Sequence, residues 1–145
     1  MLKKIKLLLI IFICLGYSSI IFSSENFFEE GQRKYNEKKF DDSKFLFQRN
    51  IVFNPKDANS YLYLAKIYKI EENEKEEEKN INTVLLLDPK NEEAIYILME
   101  IQLKKSNYSK VKELSQNFLK VCKNLCEKNK SILESLKSLE PKNES

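Results

Sequence analysis

The sequence has no histidine and no tryptophan, and only two glycines and three prolines in 145 residues. Without an imidazole there is no Ser–His or Cys–His nucleophile pair and no histidine-containing metal site. Gly16 and Gly31 stand far apart, so neither a phosphate-cradling loop nor a dinucleotide fingerprint can form. Glu, Asp, Lys, Tyr and Cys remain, and helical proteins use the first three chiefly to stay soluble. The composition argues against an enzyme, a cofactor and a metal site.

A basic excess is also missing. The formal charge of +3 arises from Lys3, Lys4 and Lys6, and from residue 25 onward 22 basic groups face 22 acidic ones. Non-specific nucleic-acid binding needs surplus positive charge to release counterions from phosphates. The expected partner is therefore a protein or peptide. The balance conceals a polarity: residues 25–100 carry 12 basic and 17 acidic groups, whereas residues 101–145 carry 10 and 5. Such a layout can steer a partner or favour contact between copies.

Long apolar runs occur in one place only. Lys3, Lys4 and Lys6 precede the unbroken run Leu7–Leu15, followed by Gly16, Ser18, Ser19, Ser23 and Ser24. This pattern predicts a secretory signal peptide over residues 1–24. An uncleaved anchor is the alternative: the 16 residues from Leu7 to Phe22 span roughly 24 Å of helix against a hydrocarbon core of about 30 Å. A third option, lipidation at Cys14, suffers from the bulky Ile13 before it. All three place the remainder outside the cytoplasm, in a periplasm or cell envelope, secreted or membrane-anchored.

Beyond that segment the chain repeats. Asn54-Pro55-Lys56-Asp57 is echoed further on by Asp88-Pro89-Lys90-Asn91. Tyr61, Leu64, Ala65 and Tyr68 fall at i, i+3, i+4 and i+7, one face of a helix. Pro55 and Pro89 close the preceding helices, and Asp41 or Asp42, Asp57, Asn73 and Asn91 are candidate N-caps. Asn73 with Glu76 resembles a capping box. Helices are predicted near 25–37, 41–53, 58–71, 74–87, 92–105 and 108–121. A seventh, near 126–139, has Leu125, Ile132, Leu133, Leu136 and Leu139 on one side and a polar far face.

These features resemble the tetratricopeptide repeat, whose period of about 34 residues is the interval from Pro55 to Pro89. Tyr61-x2-Leu64-Ala65-x2-Tyr68 parallels the family's W-x2-L-G-x2-Y, and Ser43-x3-Phe47 followed by Pro55 parallels its A-x3-F…P. Phe27-x2-Glu30-Gly31 and Ile95-x2-Leu98-Met99 stand at corresponding places, and Lys123 occupies the place of the third proline. The resemblance implies an all-α, right-handed α-solenoid with units at 25–57, 58–91 and 92–125, a capping helix at 126–140 and a polar tail at 141–145. It also implies a small residue of each second helix packed on one of the first. Gly31 with Ser43 satisfies this, and Met99 with Val111 is bulkier. Glu77 opposite Ala65 is a misfit, expected to snorkel outward and splay its helix start. The run Glu71–Glu78, with six carboxylates in eight residues, is expected to be a solvated helix start.

The family's first helices line a concave groove that holds a peptide or partner helix. Carried over by offset, the groove residues are Phe28, Gln32 and Tyr35, then Leu62, Lys66 and Lys69, then Tyr96, Glu100 and Leu103. The Lys/Asn carboxylate clamp of some relatives is absent, because Phe28 and Gln32 hold its opening positions. Cys122 and Cys126 are candidates for a disulfide at the last joint or for two free thiols. A helix running straight through would aim their Cβ atoms poorly.

Overall fold

A computed structural model describes residues 26–139, which form seven α-helices and, among them, no strand. The helices are α1 (Phe27–Asn36), α2 (Phe40–Phe53), α3 (Ala58–Ile70), α4 (Glu74–Leu87), α5 (Glu92–Lys104), α6 (Tyr108–Val121) and α7 (Cys126–Leu139). Their ends lie close to the sequence-based ones. Consecutive helices pack on one another, and α7 touches both α5 and α6, giving an α-solenoid. The candidate signal or anchor segment, Cys14 and the tail from residue 141 lie outside the described residues. Among the described residues no helix is long and apolar enough to cross a membrane.

Local chemistry sets the helix starts. Asn26, Asp57, Asn73 and Asn91 each accept a hydrogen bond from a first-turn N–H. Asp41 and Asp42 do not cap α2: its N-cap is Lys39, without a side-chain hydrogen bond, and both aspartates sit in the first turn. There their charge still complements the helix dipole. Asn73 makes only its own half of the capping box, because the Glu76 carboxylate pairs with Lys79 at 3.0 Å.

A second series with the same period ends the first helix of each pair. Lys38, Glu72 and Ser106 have φ of 60°, 57° and 56°. The N–H of each following residue donates back to Lys34, Tyr68 and Gln102 at 2.9 Å. Glycine is usual in this left-handed cap, and an L-residue there costs about 1 kcal/mol. The tight turn into the second helix imposes the geometry in spite of that cost.

Apolar side chains collect in two clusters. The smaller holds Phe47, Leu64 and Ile67, framed by Phe28, Tyr35, Phe40, Ile51, Tyr63 and Tyr68. The larger runs through α3–α7, including Ile81, Val84, Met99, Val111, Phe118, Ile132 and Leu136. Gly31 is needed where α1 meets α2: a Cβ there would lie 2.9 Å from the Phe47 ring. Ser43 Oγ donates to the Gly31 carbonyl at 2.9 Å.

Glu77 departs from expectation. It is 3% exposed, and α4 begins at Glu74 under the Asn73 cap without splaying. Its side chain is enclosed by the packed helices and lies within the fields of Lys69 and Lys104. Burial raises its pKa above the usual carboxylate range, partly offset by those two lysines. The apolar stripe of α7 is likewise split: Ile132 and Leu136 are buried, but Leu133 and Leu139 are 40% and 54% exposed.

Where the third closing proline is missing, a different clasp appears. Glu92, at the start of α5, accepts hydrogen bonds from the backbone N–H groups of Lys123, Asn124 and Leu125 at 2.7, 3.1 and 3.2 Å. These bonds hold its carboxyl below the usual range. Cys122 ends α6 in an extended conformation. The break brings its Cα to 5.3 Å from that of Cys126, and a disulfide joins the two. Reduction of native protein should add the mass of two hydrogens.

Candidate functional site

The first helices of the three pairs present one shared face. A hollow of about 380 Å³ is lined by Tyr35 of α1, by Lys66, Lys69 and Ile70 of α3, and by Glu93, Tyr96, Ile97 and Glu100 of α5. Helical spacing explains the gathering, since residues three and four apart share a face. Five of the nine predicted groove residues meet here: Tyr35, Lys66, Lys69, Tyr96 and Glu100.

The charges of the hollow are paired across helices. Lys66 Nζ lies 2.7 Å from Glu93 Oε1, and Lys69 Nζ 2.8 Å from Glu100 Oε2. Tyr96 Oη donates to Glu100 Oε1 at 2.8 Å. Burial first, and this hydrogen bond second, push the Tyr96 pKa up to about 12, so its hydroxyl stays protonated at physiological pH. The floor beside the hollow is aromatic. Tyr63 stacks on Phe47 at 4.8 Å and meets Tyr35 edge-on at 5.2 Å. Gln32 Nε2 donates to its hydroxyl at 3.0 Å, and Lys66 lies 5.0 Å above its ring.

The other predicted residues are placed differently. Phe28 is half-buried between Phe47 and Tyr63. Leu62 is 6% exposed inside the larger core and offers nothing to a ligand. Leu103 packs against that same core and does not line the hollow. Tyr63 and Ile70 were missed. On α3 Lys66 and Lys69 face the hollow as carried over, Ile70 joins them, and Tyr63 rather than Leu62 forms the adjoining floor; the Tyr61–Tyr68 motif drew attention to the core face instead. A period-3.6 projection starting from Ile70 would have found them.

Larger hollows of about 560 and 620 Å³ flank α1, one beside Arg33 and Arg49, the other beside Phe53 and Asn54. Polar groups of the second are already engaged, since Asn50 Nδ2 donates to Asp57 Oδ2 at 2.7 Å and to Ser60 Oγ at 2.8 Å. Among the described residues no three His, Cys, Asp or Glu side chains are grouped to hold a metal.

No protein-family model matches the sequence, and no curated protein matches it significantly. Its shape matches solved structures. The type III secretion chaperone SycD of Yersinia enterocolitica, in complex with a peptide of the translocator YopD, is similar at TM-score 0.71 and 17% identity, over 80% of this chain and 93% of that one. The TPR2B domain of yeast Sti1, in a pHsp70 complex, gives 0.71 at 14% identity, covering 80% and 97%. The TPR domain of Arabidopsis OM64 gives 0.69 at 18% identity, covering 79% and 94%. The chain therefore has the tetratricopeptide-repeat fold.

Proposed function

We propose that this protein is a non-enzymatic interaction scaffold that holds a peptide or partner helix against the face formed by α1, α3 and α5. The observation that carries this reading is the single hollow built jointly by those helices, aromatic and aliphatic with its charges pre-paired. Aromatic anchors in a preformed groove are the usual source of binding energy in such surfaces. The similar folds include SycD with a YopD peptide and the first TPR of RPAP3 with an HSP90 peptide. The pre-paired lysines make a lone terminal carboxylate a poor fit, because it would have to displace Glu93 or Glu100.

A photo-crosslinking residue placed at Ile70 tests this. Capture of a polypeptide from Ile70 and none from Leu86, which is 80% exposed on α4, supports the groove. The reverse result moves binding to the second helices and supports a structural subunit gripped from outside. The basic start and apolar run of residues 1–24 further suggest an exported, envelope-associated protein. N-terminal sequencing of the mature chain separates a cleaved signal from a retained anchor.

A further inference from the structure

Among the described residues one helix face of the solenoid is left uncovered, and its charge order is self-complementary. Gly31, Ala65 and Met99, at the same place in successive repeats, are each buried in their helix pair. Leu133 is next in that series, yet among the described residues no second helix follows, and it is 40% exposed beside Leu119 at 57%. The two leucines border a hollow of about 490 Å³. Asn129 reaches the same hollow, is 4% exposed, and its Oδ1 has no hydrogen-bond partner among the described residues.

The charges around this hollow are Glu127, Lys130, Glu134 and Lys137. None of the four makes an ion pair with a described side chain, whereas Glu30–Arg33, Glu76–Lys79 and Lys110–Glu113 are closed at the same spacing elsewhere. Their order is antisymmetric about Ile132. Helices packed antiparallel place residues opposite one another whose numbers have a constant sum. Centred on Ile132, Glu127 meets Lys137 of a second copy and Lys130 meets its Glu134, and two-fold symmetry doubles both pairs. A parallel pairing would instead set each charge against its own kind. A head-to-tail arrangement would need the α1 edge, where Arg33 is already paired with Glu30 and Glu37.

We propose that two copies of this chain associate through antiparallel α7 helices, with Leu119 and Leu133 at the centre and the Glu127–Lys137 and Lys130–Glu134 pairs on the flanks. Sedimentation of the whole chain tests this. Dimers are expected, and Leu133→Glu should weaken them roughly tenfold or more. Lys130→Glu alone and Glu134→Lys alone should each lose association. An equimolar mixture of those two variants should regain it, because one chain then offers acids at both places and the other offers bases. All of these positions are exposed, so circular dichroism should show the variants folded. A chain that stays monomeric at millimolar concentration overturns the proposal. So does association that Leu133→Glu leaves intact, or a mixture that remains monomeric.

Discussion

The buried centre of the joint between α2 and α3 is polar, whereas that of the equivalent joint between α4 and α5 is apolar. At the first, Asn50 is buried and bonded to Asp57 and Ser60, and Asn54 Nδ2 donates back to Asn50 Oδ1 at 3.1 Å. At the second, Val84 and Ala94 hold the places that Asn50 and Ser60 hold one repeat earlier, and both are fully buried. One backbone arrangement thus accepts a directional hydrogen-bond network or a close-packed aliphatic seam. Val84 and Ala94 belong to the large core, whereas Asn50 and Ser60 belong to neither apolar cluster, and the smaller cluster joins α1 and α2 to α3. The first pair of helices is expected to be the weaker end, since it stands at the end of the array, packs on α3 alone, and lies outside the large core.

Phe47→Ala should break the comparison most severely. Phe47 is fully buried, and its loss should cost about 3–5 kcal/mol. Hydrogen exchange should show α1 and α2 opening while α5 and α6 stay protected. Uniform loss of protection would show one cooperative unit instead. Next, Asn50→Ala should cost about 1–3 kcal/mol, because Asp57 and Ser60 lose a partner. Converting the network to the apolar pattern, with Asn50→Val and Ser60→Ala together, should restore most of that in urea titrations. A double variant no better than Asn50→Ala would show that the network is irreplaceable there.

Two glutamates should separate by pH. Glu77 has a raised pKa, so the folded state holds its proton where the unfolded state has released it, and its contribution falls as pH rises through that range. Glu77→Gln should raise the urea midpoint at neutral pH and flatten this dependence. Glu92 has a lowered pKa, so its contribution is present above the ordinary carboxylate range and fades as pH falls toward the folded value. Glu92→Gln should remove that acid sensitivity. The smallest effect is expected at the surface: Lys69→Ala should cost about 0–1 kcal/mol, and raised salt should shrink it further.

Much of this was legible beforehand because repeats convert sequence into geometry. The period fixed by Pro55 and Pro89, together with caps at Asp57, Asn73 and Asn91, is enough to place seven helices. Gly31 and Ser43 announce a close crossing by their size. The candidate site was read less completely. Five groove residues come together, but Leu62 is core and Tyr63 was overlooked, because neighbouring helix positions point about 100° apart and only packing decides which of the two faces the groove. The sequence also advertised Glu77 as an outward-facing charge, since nothing local reveals that the neighbouring helices enclose it.

By itself the sequence determined the class of fold, the helix ends and the absence of imidazole chemistry, because capping, proline closure and apolar periodicity act within a few residues. Only the tertiary structure decided which lysines meet which glutamates, how Glu92 replaces the missing proline, and that Leu133 is left exposed and the buried Asn129 Oδ1 unpaired among the described residues. Those outcomes depend on contacts between residues a whole repeat apart, where the rotation of each helix about its axis is set by packing of the whole array.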